Sequence, residues 1–237
     1  MIEIGLEYRN TQLNRIADLF LTLPSETKPN TYSVNEDDCG FPLSDGAKFS
    51  AFLKANPSGL FLKGEDVVYS IRVTNANSIV CDCFVEVSPR TAQQVMIHMS
   101  SPELVFGFAC APEERERRNR ISITQGVNLI EAWVGRDVQK YVPGMYWITI
   151  ISKEITRLHC VSASLFAHKS KETIELCNGN AWLLRFYEKP EDWLGMDSEM
   201  TAVFGALSGI FNIENIRKSL SGASNYLELN GLFAQWK

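Results

Sequence analysis

The sequence predicts an α+β fold, one domain over residues 1–237, with a mixed, largely antiparallel sheet flanked by helices. Three observations carry this. Strand-like runs, either alternating apolar and polar or apolar throughout, are interleaved with segments whose apolar residues recur every three or four positions. Several strand-like runs are joined by short turns, and Asn178-Gly179-Asn180 contains Asn-Gly, the best short hairpin signal in the chain. No internal repeat, low-complexity stretch or shift in composition divides the 237 residues, a length that fits one large domain. The mixed order of helices and hairpins favours α+β over a doubly wound sheet.

Residues 2–8 alternate and read as a first strand. Asn10 or Thr11 then caps a helix whose apolar positions are Leu13, Ile16, Leu19, Phe20 and Leu23. Residues 24–46 are rich in Pro, Ser, Asn, Asp and Gly and read as a loop. A short helix over 47–55 turns Phe49, Phe52 and Leu53 inward, and Asn56-Pro57-Ser58-Gly59 ends it. Leu60–Lys63 reads as a short strand, and Val67–Thr74 and Ile79–Val87 as a hairpin across Asn75-Ala76-Asn77-Ser78. Ser88 caps and Pro89 opens a helix with Ala92, Val95, Met96 and Met99 on one face. Leu104–Ala111 is a strand in which Gly107 marks a bulge or a close approach. Residues 112–120, PEERERRNR, read as a solvated helical turn with internal ion pairs.

Strands follow at Ile121–Thr124 and Val127–Trp133. The stretch 134–152 then organises the second half: a polar turn, Pro143-Gly144, and a strand over 145–151 buried on both faces. Residues 152–168 are helical with a break near His159-Cys160. Lys171–Cys177 and Ala181–Tyr187 form the Asn-Gly hairpin. Helices at 198–208 and 212–221 and a docking tail over Leu227–Trp236 complete the chain.

Composition narrows the function. Hydrophobic residues make up 45% and charged residues 22%, enough for a sizeable core. A net charge of −5 argues against nucleic acid as a direct ligand, because phosphate contacts require clustered Lys and Arg. The six cysteines, Cys39, Cys81, Cys83, Cys110, Cys160 and Cys177, read as buried reduced thiols; Cys81 and Cys83 share one strand face, where a disulfide would strain the backbone. The start, MIEIGLEYRN, lacks the basic and apolar parts of a signal peptide, and no apolar run reaches ~18 residues, so the expected compartment is the cytoplasm, with no membrane partner.

Motifs for chemistry are missing. The chain contains no Cys-x-x-Cys pair, no His-x-x-x-His, no Gly-rich phosphate loop and no Gly-x-Ser-x-Gly elbow. No catalytic residue, cofactor or metal is therefore expected. Cys160 beside His159 does not make a dyad, because adjacent helical residues face apart. A carboxylate pair for a hydrolase-like enzyme could be assembled from Glu131, Asp137, Glu188 or Asp192. Arg115, Arg117, Arg118 and Arg120 could instead form an RNA-contacting face, although no aromatic residues interleave with them. Trp193, beside Glu191 and Asp192, reads either as an exposed protein-binding hot spot or as packing over the sheet edge.

One resemblance adds to this. Trp133-Val134-Gly135, then Val142-Pro143-Gly144-Met145-Tyr146-Trp147, then Ala181 through Trp193 (AWLLRFYEKPEDW) resemble bacterial polymorphic-toxin immunity proteins, most closely immunity protein family 52. That family's pattern is a Pro-Gly-x-Tyr-Trp strand followed by Trp-Leu-Leu-x-x-Tyr-Glu-x-Pro-x-x-Trp. The resemblance spans residues 133–193. It implies a non-catalytic α+β antidote that binds and blocks a cognate nuclease-like toxin delivered by contact-dependent or type VI secretion. An acidic surface would suit such a partner through charge steering. The candidate contacts are Glu36, Asp37 and Asp38 in the first loop and Glu188, Glu191, Asp192 and Trp193 at the exit of the last hairpin. The alternative reading is a cytoplasmic hydrolase-like enzyme with a carboxylate or Cys160-centred site.

Overall fold

In the computed structural model, residues 1–237 are described except 39, 76, 126, 206, 221–227, 229–230, 232 and 236–237. The chain runs β1 (Ile2–Arg9), α1 (Leu13–Leu21), β2 (Thr31–Ser33), β3 (Phe41–Pro42), α2 (Gly46–Ala55), β4 (Gly59–Lys63), β5 (Val67–Asn75), β6 (Ser78–Val85), α3 (Pro89–His98), β7 (Leu104–Cys110), α4 (Pro112–Asn119), β8 (Arg120–Gln125), β9 (Asn128–Trp133), β10 (Ile148–Ser152), α5 (Lys153–Leu158), α6 (Ala163–Lys169), β11 (Glu172–Leu176), β12 (Ala181–Arg185), α7 (Trp193–Phe204) and α8 (Ile213–Leu220). Ten strands form one sheet in the order β11-β12-β10-β7-β1-β6-β5-β4-β2-β3, and β8-β9 stand apart as a hairpin. This is the α+β architecture expected. Every strand pair in it is antiparallel. The α3 crossover steps over β1, so β6 and β7 run parallel without pairing.

The alternation in β1 sets the layers. Ile2, Ile4, Leu6 and Tyr8 are buried on one face, while Glu3, Glu7 and Arg9 point the other way and keep partial solvent contact. Register carries this across the sheet: Leu6 lies beside Cys81, Cys81 beside Ile71, and Ile71 beside Leu60. Helices α1, α2 and α3 cover that first face. The Phe20 ring meets Tyr69 at 4.7 Å, Tyr32 packs against Phe49 and Phe52, and the Tyr8 hydroxyl donates to the Met99 carbonyl at 2.8 Å. Among the described residues, α4, α5, α7 and the segment 134–147 cover the second face over β7, β10 and β12, and Arg115 and the Phe108 ring reach part of β1. Over β6, β5, β4 and the rest of β1 that face carries two open hollows.

Local signals account for most elements. Ser88 accepts from Thr91 N, Asp45 from Lys48 N and Ser152 from Ile155 N, each satisfying a helix-start amide. Cys177, Asn178 and Gly179 all take positive φ, which turns the chain between β11 and β12. Cys160, also at positive φ, ends α5 where the break was expected.

Some expectations change. The organising strand begins at Ile148, not Met145: Pro143 has no amide to give, and the Tyr146 amide donates to Thr149 Oγ1 at 3.0 Å, outside the ladder. Residues 24–46 are not all loop, since β2 and β3 pair there. Helix α1 starts at Leu13 with Gln12 at the N-cap position and no side-chain cap, so neither Asn10, at φ 55°, nor Thr11 caps it. Helix α7 starts at Trp193, five residues before 198. Much of the 227–236 tail lies outside the described residues, but Phe233 is buried with Tyr141, Phe211 and Ile216 in a second cluster under the β8-β9 hairpin. Cys81, Cys83 and Cys110 are free and buried as expected; Cys177 is half-buried, Cys160 is exposed, and Cys39 lies outside the described residues.

Candidate functional site

The open half of the second sheet face is built by cross-strand rows. Phe61, Ser70, Asp82, Gly5 and Phe108 line up across β4, β5, β6, β1 and β7. Beside them run Lys63, Val68, Phe84, Glu3 and Cys110, and on the other side Gly59, Arg72, Val80, Glu7 and Phe106. A solvated face would carry polar residues throughout. This one mixes aromatics with both charge signs, and Phe84 is 39% exposed. Two adjoining hollows of ≈ 350 and ≈ 340 Å³ lie on it and share Arg72, Asp82, Arg115 and Arg136.

Gly5 makes the wall of this groove possible. A Cβ there would sit 2.1 Å from Phe108 Cε1, so only glycine lets the Phe108 ring lie across β1. The Arg115 guanidinium stacks on that ring, 4.3 Å from its centroid, and its Nη1 donates to Asn119 Oδ1 at 3.0 Å and to the Tyr146 hydroxyl at 2.5 Å. Tyr146 donates on to Asn119 Oδ1 at 2.5 Å, and Asn119 Nδ2 reaches the carbonyls of Val134 and Gly135 at 3.0 and 3.3 Å. The chain of bonds therefore runs from the buried side of helix α4 to the residue preceding Arg136. Arg136 projects over the groove with its guanidinium 5.9 Å from the Trp133 ring centroid.

Most charges here are matched. Arg72 pairs with Asp82, Arg115 with Glu3 at 3.9 Å, Arg9 with Glu7 at 3.5 Å and with Glu154 at 2.9 Å, and Lys140 with Asp137 at 3.5 Å. Burial raises the carboxyls of Glu3 and Glu7, opposed by Arg115 and by Arg9 respectively. The two are four residues apart on one strand, about 13 Å between Cα atoms at ~3.3 Å per residue, and each faces its own arginine. Arg136 makes no ion pair among the described residues.

The residues singled out from sequence are dispersed. Glu36, Asp37 and Asp38 are exposed in the β2-β3 loop, which Lys63 Nζ pins through the carbonyls of Glu36 and Asp38. Glu36 lines the groove together with Phe61 and Trp133. Glu188, Glu191 and Asp192 follow β12, seven strand steps away, roughly 30 Å at ~4.8 Å per step. A standard interface of ~800 Å² per partner does not readily span both. Glu188 is held by Arg185 at 2.7 Å and Lys171 at 3.5 Å, and Asp192 accepts from the Lys189 amide at 3.0 Å, so these two have local roles. Trp193 is 9% exposed and part of the main core, which corrects the hot-spot reading in favour of packing.

The hydrolase residues also fail to converge. Glu131 pairs with Arg120, Asp137 with Lys140, and His159 Nε2 bonds the Val138 carbonyl at 2.7 Å rather than Cys160. No group of three potential metal ligands occurs among the described residues. No helix among them is long and apolar enough to cross a membrane. PEERERRNR is not simply a solvated turn: Glu114, Arg115 and Asn119 are buried, because α4 packs its Glu114-Arg115-Arg118 side onto the sheet and α7. That burial also removes Arg115 and Arg118 from an RNA-contacting face.

Sequence reading passed over Arg136, Arg72 and Phe84, and used Trp133 only for the resemblance. A signal was present in β5 and β6, where Arg72, Asp82 and Phe84 occupy the positions alternating with the core residues. No known protein family, curated protein or solved structure matches the chain.

Proposed function

We infer that the protein is an immunity-type antidote that acts in the cytoplasm, neutralising a cognate bacterial toxin of the nuclease class by direct binding and without chemistry of its own. The observation that carries this is the open half of the second sheet face. Its Arg, Trp and Phe residues have the composition of a protein-binding surface, and the acidic 36–38 loop stands at its rim. The groove is shallow, and its carboxylates are matched to arginines rather than aimed at a common point, which suits contact better than catalysis. The likeness of residues 133–193 to immunity proteins supports the same reading.

The test is co-expression with the protein encoded by the adjacent gene. Survival of otherwise poisoned cells, with a stable stoichiometric complex on purification, is the expected result. A toxic neighbour that this protein neither rescues nor binds would overturn the reading, as would a harmless one.

A further inference from the structure

We propose that the groove over β4, β5, β6 and β1 receives a toxin segment presenting a carboxylate beside a cationic side chain, with Arg136 taking the carboxylate and the Glu36-Asp37-Asp38 loop taking the cation. The inference rests on the immunity reading above and assigns its contact surface. It follows from the charge balance of the groove. Arg72, Arg115 and Arg9 are already committed to Asp82, Glu3 and Glu7. Lys63 makes no ion pair among the described residues either, but its Nζ is taken up by the carbonyls of Glu36 and Asp38. Arg136, set against Trp133, makes no ion pair among the described residues and feels Asp82 and Glu3 only at longer range. The carboxylate of Glu36 lines the same hollow without an ion pair among the described residues, and Asp37 and Asp38 extend the acidic rim. Arg136 and the acidic rim flank a patch of Phe61, Val68 and Phe84.

A complementary occupant carries one charge of each sign around an apolar contact. A nuclease centre has this chemistry, because carboxylates hold its metal ions and cations hold its phosphates. Occupying it through Arg136 and the acidic loop would block both. Backing of Arg136 by an indole ring, and of the Val134-Gly135 backbone by Asn119, holds the guanidinium in place before binding, which lowers the ordering cost of the contact.

The experiment measures binding of the purified neighbouring-gene toxin to the wild-type chain and three variants. Arg136→Glu should weaken binding roughly 100-fold, mainly through faster dissociation, as loss of a buried interfacial charge pair does. Phe84→Ala, a milder change at an exposed position, should weaken it about tenfold. Glu191→Lys, at the far sheet edge, should stay within about threefold of wild type. If Arg136→Glu fails to keep the wild-type thermal midpoint, Phe84→Ala decides alone. A wild-type complex whose affinity is unchanged in Phe84→Ala and in a folded Arg136→Glu overturns the groove assignment while leaving the immunity reading intact. Failure of the wild-type chain to bind overturns that reading, and the assignment with it.

Discussion

Substituting Gly5 by alanine tests whether the groove wall depends on the close approach seen between β1 and Phe108. Gly5 is not at positive φ, so the effect is one of space. The new methyl would lie 2.1 Å from Phe108 Cε1 and 2.5 Å from Cζ. The ring cannot swing freely, because Tyr146 is 4.6 Å away on one side and Arg115 is stacked at 4.3 Å. Overpacking of this kind costs about 1–3 kcal/mol. Displacing the ring forfeits about 1 kcal/mol of its pairing with Tyr146 and a similar amount, ~1 kcal/mol, of its contact with the Arg115 guanidinium. The narrower unfolded ensemble returns about 0.5 kcal/mol. The net destabilisation is about 2.5–4.5 kcal/mol, read as a drop of about 1–1.5 M in the urea midpoint for a slope of about 3 kcal/mol per M. Replacing Phe108 by leucine in the Gly5→Ala background should recover part of this, with a coupling energy above about 1 kcal/mol. A midpoint within error of wild type, or strict additivity of the two changes, would refute the account.

Three further outcomes are expected. Trp147→Phe removes the indole donor that reaches the Tyr187 carbonyl at 3.0 Å in a core position, and should cost about 1–3 kcal/mol by denaturant titration. Burial raises the Glu114 carboxyl, with Arg118 opposing; the folded pKa exceeds the unfolded one, so this group's stabilising contribution is complete below the unfolded carboxyl pKa and is lost as pH rises through the folded pKa. Glu114→Gln should therefore flatten the fall in thermal midpoint as pH rises above the ordinary carboxyl range, and an unchanged slope would contradict the assignment. Among the thiols, exposed Cys160 should react with a disulfide reagent in the native state, whereas buried Cys81, Cys83 and Cys110, whose thiols burial pushes up, should react only on unfolding. Cys160→Ser should remove one fast-reacting equivalent, and Cys81→Ser none.

Local patterns were enough to read much of this protein from its sequence. Alternation in residues 2–8 and 67–87, the Ser88-Pro89 helix start and the Asn178-Gly179 hairpin depend on neighbours within a few positions, and each formed as read. The strand at 148–151 was legible for the same reason, since a run buried on both faces must be apolar throughout. Pairing over long sequence separations was not legible. β1 takes partners some 80 to 100 residues away, at Val85 and Cys110, and that choice alone decides which sheet face α1, α2 and α3 cover. The charged run 112–119 shows the limit best. By composition it belongs in water, yet Glu114, Arg115 and Asn119 are buried: Arg118 pairs with Glu114 within the run, while Tyr146 and the carbonyls of Val134 and Gly135 bond Arg115 and Asn119 from segments the run does not itself encode. The candidate groove is of the same kind: Arg72, Asp82, Phe84 and Arg136 are unremarkable surface residues in the sequence. Only strand order brings Arg72, Asp82 and Phe84 onto one open face, only the 134–147 segment sets Arg136 over it, and only the pairing of the neighbouring charges leaves Arg136 without an ion pair among the described residues.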